Sequence, residues 1–177
     1  MPLIRPCRPP DLAAITDIYA QHVLHGTGTF ETAPPTLAEM TDRRDDVLAR
    51  KLPYLVVETD GKIIGFAYCN WFKARPAYCY SAEDSIYLSP EAQRRGLGRV
   101  LLTELAARAE AAGVRKLIAV IGDSANAGSI GLHRSVGFEP VGVLKSFGWK
   151  FNRWLDVVLM EKVLGAGDSS PPEFIEV

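Results

Sequence analysis

The chain has 177 residues, of which 47% are hydrophobic and 23% charged, and 20 Lys and Arg residues oppose 21 Asp and Glu residues. This size and composition fit one globular domain with its own core and exclude a largely disordered chain. The near-zero net charge provides no basic field for nucleic acid, and the longest strongly apolar run, Leu117 to Ile121, is far too short to span a membrane. Because residues 1–10 also lack the apolar segment of a secretory signal, we expect a cytoplasmic protein without nucleic-acid or membrane partners.

The cysteines and histidines give no signal for a disulfide framework or a metal site. Cys7, Cys69 and Cys79 are odd in number and show no C-x-x-C spacing, which favours free thiols in a reducing compartment. His22 and His25 lie three residues apart near the end of a predicted helix, without further ligand types nearby. We interpret this pair as a solvated helix end and predict no metal.

The first third of the chain is predicted to form two helices after a short strand. Apolar residues recur at helical spacing from Leu12 to Leu24, and Gly26 ends that pattern. Thr36 followed by Glu39 is a capping-box pattern, which predicts a second helix running to about Arg50.

Three consecutive strands are predicted next, over residues 54–58, 63–71 and 78–88, from their β-branched and aromatic residues. Asp60-Gly61 is typical of a hairpin turn between the first two strands. Gly65 inside the second strand predicts a bulge or a close approach of neighbouring backbone.

The second half of the chain alternates helices and strands. We expect a helix over 97–112, a buried strand over 116–121, a short helix over 126–135, and closing strands over 139–147 and 154–162. Hairpins combined with β–α–β crossings predict an α/β fold with a mixed, mostly antiparallel sheet of six to seven strands and about four helices. We place one domain at residues 1–164 and a flexible C-terminal tail at 165–177.

The sharpest motif lies in Gln93–Arg99, between a predicted strand and the long helix, and reads Gln93-x-x-Gly96-x-Gly98. Glycines let the backbone approach a ligand closely, and the first N–H groups of a helix lack intrahelical partners. The arginines of this turn are Arg94, Arg95 and Arg99. A pyrophosphate would fit here, although the turn is also compatible with a plain glycine-rich helix start. A dinucleotide fingerprint would need Gly where Leu101 stands, and the P-loop pattern is absent.

Two ordered motifs resemble those of the GNAT acetyltransferases. Gln93–Arg99, preceded by Ile86-Tyr87-Leu88, resembles the coenzyme A loop of that family. About 30 residues later Asn126 opens a predicted helix followed by Gly137-Phe138, which resembles the second family signature. The resemblance covers about residues 3–162 and implies the GNAT fold, an acyltransferase activity and acetyl-CoA as co-substrate.

Five further segments resemble the phosphinothricin and methionine sulfoximine N-acetyltransferase branch of this family. They are residues 29–34, 71–78, 83–87, 148–150 and 154–157. This resemblance implies direct acetyl transfer, through a ternary complex, to the α-amino group of methionine sulfoximine, phosphinothricin or methionine sulfone. It also implies a homodimer and a role in antibiotic or herbicide resistance.

The same resemblance implies which residues contact the coenzyme. The backbone of the strand at Ile86 pairs with the pantetheine arm, and one of its N–H groups stabilises the oxyanion. Asn126 either contacts the coenzyme arm or only caps its helix. The predicted coenzyme-binding residues are Ile86, Tyr87, Leu88, Arg94, Arg95, Gly96, Leu97, Gly98, Arg99 and Asn126.

The predicted catalytic residues are Glu83 and His133. Direct transfer needs a neutral amine, and Glu83, three residues before Ile86, is the expected base; the alternative is a salt-bridged strand glutamate. Asp84 should face the opposite side of the strand. Many GNAT enzymes resemble one another in having a Tyr at the position that His133 occupies in this chain. It either protonates the leaving thiolate, hydrogen-bonds the thioether region, or is a helix histidine satisfied by backbone.

Substrate contacts are predicted around Glu83. Lys73 and Arg75 are the cations available for a substrate carboxylate, unless their loop is simply solvated. Phe30 and Glu31 would wall the pocket and orient the amine. The full predicted set is Phe30, Glu31, Lys73, Ala74, Arg75, Glu83, Asp84 and Ser85.

Two other functions remain open at this point. One is acetylation of another amine, such as a protein N-terminus or a polyamine, although Lys73 and Arg75 would repel a polycation. The other is a non-catalytic acyl-CoA-binding sensor, which needs the arginine-rich turn but has no use for a base at Glu83.

Overall fold

The structure is a computed structural model that describes residues 2–172, so the end of the predicted tail, 173–177, lies outside the described residues. The strands are β1 (Leu3–Pro6), β2 (Tyr54–Thr59), β3 (Lys62–Trp71), β4 (Ser81–Leu88), β5 (Lys116–Gly122), β6 (Glu139–Lys150) and β7 (Arg153–Val163). The α-helices are α1 (Leu12–His25), α2 (Leu37–Ala49), α3 (Leu97–Ala111) and α4 (Ala127–Ser135).

The strands of the described chain form one seven-stranded sheet in the order β1-β2-β3-β4-β5-β7-β6. All neighbouring strands are antiparallel except β4 and β5, which are parallel and joined through α3. The predicted α/β fold with a mixed, mostly antiparallel sheet is confirmed.

Local signals in the sequence set two of these elements as expected. The capping box at α2 is formed: the Glu39 backbone N–H donates to Thr36 Oγ1 over 3.2 Å, and the Thr36 N–H donates to the Glu39 carboxylate over 2.6 Å. The register of β2 and β3 shifts between Val57 and Glu58, where Gly65 lies opposite Val57. A Cβ at Gly65 would overlap the Leu88 side chain, so the prediction of a bulge and a close approach is confirmed.

Two boundaries differ from the predictions. Strand β4 begins at Ser81 instead of residue 78, because Pro76 opens a short 3-10 turn over Pro76–Tyr78. Strands β6 and β7 extend to a two-residue turn at Phe151 and Asn152, whose φ angles are 52° and 57°. A turn with two positive φ angles favours glycine, and this turn has none, so no local pattern predicts it.

The two faces of the sheet are covered by different helices. Tyr19 of α1 packs against Phe66 and Tyr87, whereas His133 of α4 contacts Asp84. Because Asp84 and Tyr87 are three residues apart on β4, their side chains project from opposite faces, and α1 and α4 therefore cover opposite faces. Helix α2 contacts α1, and α3 contacts α4, so each face carries one pair of helices.

Candidate active site

The sheet opens at its only parallel pair within the described residues. Strands β4 and β5 are paired from Ser81 and Lys116 to Asp84 and Ala119, and beyond that point β4 continues to pair with β3 and β5 with β7. We call this divergence the fork. A central cleft of about 1040 Å³ occupies it and is lined by both strands, the end of α1 with the loop after it, and the starts of α3 and α4.

The arginine-rich turn forms one end of the central cleft. Arg94 and Gly96 have φ angles of 59° and 77°, a turn conformation in which backbone N–H groups converge. Gly96 is the N-cap of α3 and supplies no side-chain cap, so the first N–H groups of that helix face the cleft without one. Arg94 and Arg99 line the cleft, whereas the described lining does not include Arg95. The turn can therefore hold an anion such as a pyrophosphate.

The outer part of β4 forms the wall next to this turn. Ile86, Tyr87 and Leu88 line the central cleft, and their backbone lies beyond the paired part of the fork. The Leu88 carbonyl lies 2.8 Å from His22 Nε2, and the His22 ring packs edge-on against Tyr87. The interpretation of His22 as part of a solvated helix end is therefore wrong. Burial lowers the pKa of His22, which keeps the ring neutral with its Nε2–H on the carbonyl.

Glu83 lies at the inner end of the central cleft, on the same face of β4 as Tyr87. Burial raises the pKa of its carboxyl group, the neighbouring charge of Asp84 adds to this rise, and Lys73 opposes it. Ser85, two residues on, shares this face and also lines the cleft. A half-buried carboxylate with a raised pKa is a stronger base than an exposed one, as proton abstraction requires.

Asp84 points to the opposite face, as the strand period predicts, and binds His133. Its Oδ2 lies 2.9 Å from His133 Nε2, and both side chains are almost fully buried. The other ring nitrogen, Nδ1, lies 2.8 Å from the carbonyl oxygen of Ser129. The predicted substrate contact Asp84 thus lies beside the predicted acid His133 and across the strand from Glu83.

The start of α4 closes the cleft on the β5 side. Asn126 caps α4, because its side-chain oxygen accepts the Ser129 N–H over 3.1 Å, and it also lines the cleft. The structure therefore accounts for Asn126 as a cap without excluding a ligand contact. Asp123, just before it, accepts hydrogen bonds from the Ala125 N–H and from the Arg153 guanidinium at 3.0 and 2.8 Å.

Phe30 is wedged against two glycines from different strands. A Cβ added at Gly148 of β6 would overlap the Phe30 ring, and one at Gly122 of β5 would overlap the Thr27 carbonyl and touch the same ring. Phe30 lines the central cleft as predicted. The absence of side chains at these two positions is what brings its ring so close to the sheet.

Lys150 holds the loop that carries Phe30, although it was not among the predicted site residues. Its Nζ donates to the carbonyl oxygens of Gly26 and Thr29, both over 2.8 Å, and the residue is only 4% exposed. Burial lowers the pKa of this lysine. Gly26 caps α1, so the ammonium group also lies at the negative end of that helix. No local pattern signals this contact, because the partners lie more than 120 residues apart.

Several predicted site residues lie away from the described lining of the central cleft. Glu31 binds Tyr19 and pairs with Arg43 at 2.6 Å beside it. Lys73 and Arg75 are exposed, and the Lys73 ammonium lies over the Phe72 ring. The predicted residues outside the described lining are Glu31, Lys73, Ala74, Arg75, Arg95 and Leu97.

The described residues show neither a metal cluster nor a membrane-spanning helix. Among residues 2–172 no group of three His, Cys, Asp or Glu side chains is placed to hold a metal ion. Over the same range no helix has both the length and the apolar character needed to cross a bilayer.

Comparison with known proteins matches this arrangement to one family. The family model described as Acetyltransferase (GNAT) family matches residues 15–138. A phosphinothricin acetyltransferase from Sinorhizobium meliloti, solved in complex with acetyl-CoA, superposes with a TM-score of 0.94 at 44% identity, covering 97% of this chain and 93% of that one.

Curated relatives extend the match to most of the sequence. A phosphinothricin N-acetyltransferase of Alcaligenes faecalis is 51% identical over 170 residues, which cover 96% of this chain and 86% of the relative. An L-methionine sulfoximine/L-methionine sulfone acetyltransferase of Salmonella typhimurium is 37% identical, covering 85% of this chain and 88% of the relative. The predicted family, fold and enzyme class are confirmed: this chain is a member of the GNAT acetyltransferase family.

Proposed function

We propose that this chain transfers the acetyl group of acetyl-CoA to the α-amino group of small glutamate- or methionine-like amino acid analogues. Methionine sulfoximine, phosphinothricin and methionine sulfone are the substrates we favour, because relatives carry those names at 37% and 51% identity. The observation that carries the proposal is one cleft with an anion-binding turn at Arg94 and Arg99 and a half-buried carboxylate at Glu83.

The coenzyme occupies the central cleft along β4. Its pyrophosphate binds at the start of α3 beside Arg94 and Arg99, where helix N–H groups and guanidinium groups both favour negative charge. Its pantetheine arm hydrogen-bonds to backbone groups of residues 86–88 that do not pair with β5, apart from the Leu88 carbonyl, which His22 occupies. One N–H of this segment is positioned to stabilise the oxyanion, a contribution of about 3 kcal/mol.

Glu83 acts as the base in a direct transfer within a ternary complex. The free α-amine is largely protonated near neutral pH, since its pKa is about 8. Glu83 removes that proton, directly or through a water, and the neutral amine attacks the thioester carbon. The C–N bond forms, the bound nitrogen gives up its second proton to solvent, the C–S bond breaks, and the thiolate leaves. The raised pKa of Glu83 brings its basicity closer to the working pH.

Phe30 and Ser85 shape the amine end of the cleft. Phe30 is fixed against Gly122 and Gly148, and Ser85 lies beside Glu83 on the strand. Lys73 acts on Glu83 through its charge, so the loop that carries Lys73, Ala74 and Arg75 is near enough to attract an anionic substrate. Glu31 supports the wall of the cleft indirectly, by accepting a hydrogen bond from the Tyr19 hydroxyl.

A thiol-release assay with a panel of amines tests this function. The panel contains methionine sulfoximine, phosphinothricin, methionine sulfone, the twenty common amino acids, spermidine and a peptide. We expect release with the first three and little with spermidine or the peptide. Tight acetyl-CoA binding without release on any amine would instead support the non-catalytic sensor, and preference for the peptide would support N-terminal acetylation.

We further propose that the chain acts as a homodimer in the cytoplasm, where acetylation of such inhibitors confers resistance. Strand β6 is an edge of the sheet, and the β6–β7 hairpin exposes a set of large apolar side chains, which we call the apolar hairpin face. Its members are Val141, Val143, Leu144, Phe147, Trp149, Phe151 and Trp154. Free thiols at all three described cysteines fit a reducing compartment.

Light scattering of the full chain tests the dimer. We expect the wild type to have twice the monomer mass and Trp149→Lys to be monomeric. Leu37→Lys, at an exposed apolar residue of α2, should remain dimeric. A monomeric wild type at micromolar concentration would contradict the proposal.

A further inference from the structure

We propose that Asp84, His133 and Ser129 form a relay that delivers a proton to the coenzyme thiolate when the acetyl group leaves. This proposal rests on the acetyl transfer proposed above. It assigns new roles to two residues: Ser129 as the group that donates to sulfur and Asp84 as a positioning residue behind His133.

The contacts of His133 determine how many protons its ring carries. Nε2 lies 2.9 Å from Asp84 Oδ2, and Nδ1 lies 2.8 Å from the Ser129 carbonyl oxygen. Both partners are hydrogen-bond acceptors, so both ring nitrogens must be donors, and the pair is best satisfied by an imidazolium beside a carboxylate. His133 is 3% exposed and Asp84 6% exposed, so this charge is held away from solvent.

Ser129 connects the buried pair to the central cleft. Its hydroxyl oxygen lies 3.4 Å from His133 Nδ1, one helical turn away on α4. Ser129 is half-buried and lines the cleft. The buried residues His133 and Asp84 also contribute to the lining. Asp84 is moreover the last residue of β4 that pairs with β5, so the pair lies at the apex of the fork. The hydroxyl is therefore the exposed end of a chain that begins at Asp84.

The proton transfer balances along this chain. As the C–S bond breaks, the thiolate sulfur takes the hydroxyl proton of Ser129, and Ser129 Oγ takes the proton of His133 Nδ1. The neutral imidazole keeps its Nε2–H on Asp84, and its bare Nδ1 gives up the contact with the Ser129 carbonyl and accepts the Ser129 hydroxyl. One proton has moved from the imidazolium to sulfur, and exchange with solvent restores it after the products leave.

Asp84 selects the tautomer that this sequence needs. Its carboxylate holds the proton on Nε2, so Nδ1 is the nitrogen that releases one. Within residues 2–172 the second oxygen, Oδ1, has no hydrogen-bond partner, so His133 is the carboxylate's described donor. The charge of Asp84 in turn acts on two other titratable groups, Glu83 on the same strand and Cys69 on β3.

The ionisation of His133 agrees with this geometry. Burial alone would lower its pKa, but the hydrogen bond and charge of Asp84 and the Ser129 carbonyl outweigh burial and raise it above the ordinary value. The donor form therefore persists to higher pH than in a free histidine, and turnover should fall as pH rises through this raised pKa.

Three variants test the relay through kcat, KM for acetyl-CoA and pH profiles. Ser129→Ala should lower kcat at least 10-fold, with little change in KM or in the pH values at which kcat rises and falls. Ser129→Thr keeps a hydroxyl and should restore most of kcat. Asp84→Asn pairs well with a neutral imidazole and should fold. In this variant kcat should fall at a lower pH on the alkaline side, because His133 loses its charge partner. On the acid side kcat should also rise at a lower pH, because Glu83 loses the like charge beside it.

The control is Thr41→Ala, which removes a hydroxyl that bonds the carbonyl four residues earlier on α2, away from the cleft lining, and should leave kcat unchanged. Circular dichroism melting and the ¹⁵N shifts of His133 are recorded for every variant. An active wild type whose Ser129→Ala keeps kcat, or whose Asp84→Asn keeps the pH profile and the imidazolium shifts, overturns the relay alone. A wild type that acetylates no amine overturns the proposed function and the relay together.

Discussion

The two walls of the central cleft are built in different ways. The wall formed by β4 and the start of α3 comes from one continuous stretch of chain, residues 83–99, so its charged groups lie close together in the sequence. The opposite wall combines the loop after α1 with the β6–β7 hairpin, through contacts such as Lys150 to Gly26. We infer that the first wall carries the base and the coenzyme-binding turn and that the second sets the shape of the site.

This difference decides what the sequence predicts. Helix starts, the hairpin turn, the bulge at Gly65 and the turn at Gly96 depend on neighbouring residues, and all were predictable from local patterns. Two contacts depend on tertiary structure, because nothing near either residue in sequence signals its partner. One is the clamp, by which we mean the hydrogen bonds from Lys150 to the Gly26 and Thr29 carbonyls, and the other is the contact of His22 with the Leu88 carbonyl. Lys73 and Arg75 show the converse, since proximity in sequence to the site did not put them in the cleft lining.

The largest expected effect is at Glu83 on the first wall. Glu83→Gln keeps the shape but removes the base, so we expect kcat to fall about 10²- to 10⁴-fold with acetyl-CoA affinity unchanged. Wild-type kcat should rise with pH through the raised pKa of Glu83, and the variant should lose that dependence. Steady-state kinetics and calorimetric binding measure the two quantities.

Glu139→Gln, at an exposed residue of β6, is the matched control and should behave as wild type. Equal kcat values for Glu83→Gln and wild type would remove the chemical role of the first wall.

Lys150→Met should have the largest effect on the second wall. It leaves the carbonyl oxygens of Gly26 and Thr29 without their donor, which should lower the free energy of unfolding by about 2–4 kcal/mol. Urea unfolding measures this loss. Lys145→Met, at a 74% exposed side chain of the same strand, should cost under about 1 kcal/mol, and equal losses would contradict the clamp.

Gly148→Ala should cost about 1–3 kcal/mol because its Cβ overlaps the Phe30 ring. Gly142→Ala on the same strand is the matched control, since its Cβ meets nothing within 4 Å. The double variant Gly148→Ala/Phe30→Ala should be less destabilised than the sum of the two single changes, as a double-mutant cycle would show. Strict additivity would mean that the ring is not held by that glycine.

The smallest effect is expected at Arg99. Arg99→Gln removes a cleft-lining charge and should raise KM for acetyl-CoA about 10-fold, with unfolding free energy unchanged. Arg95→Gln, one turn residue outside the described lining, should raise KM less than about threefold at the same ionic strength. Equal effects would mean that the turn attracts the coenzyme by its general field instead of by specific contacts.

The fork also affects the stability of the protein and its tendency to associate with other chains. Where β4 and β5 diverge, the sheet carries an internal edge whose backbone groups have no strand partner, and open edges invite pairing with other chains. A ligand that lies along this edge binds the folded chain but not the unfolded one, so occupancy at 100 times Kd adds about 2.7 kcal/mol to stability. Bound acetyl-CoA would thus act both as co-substrate and as a stabiliser of the fold.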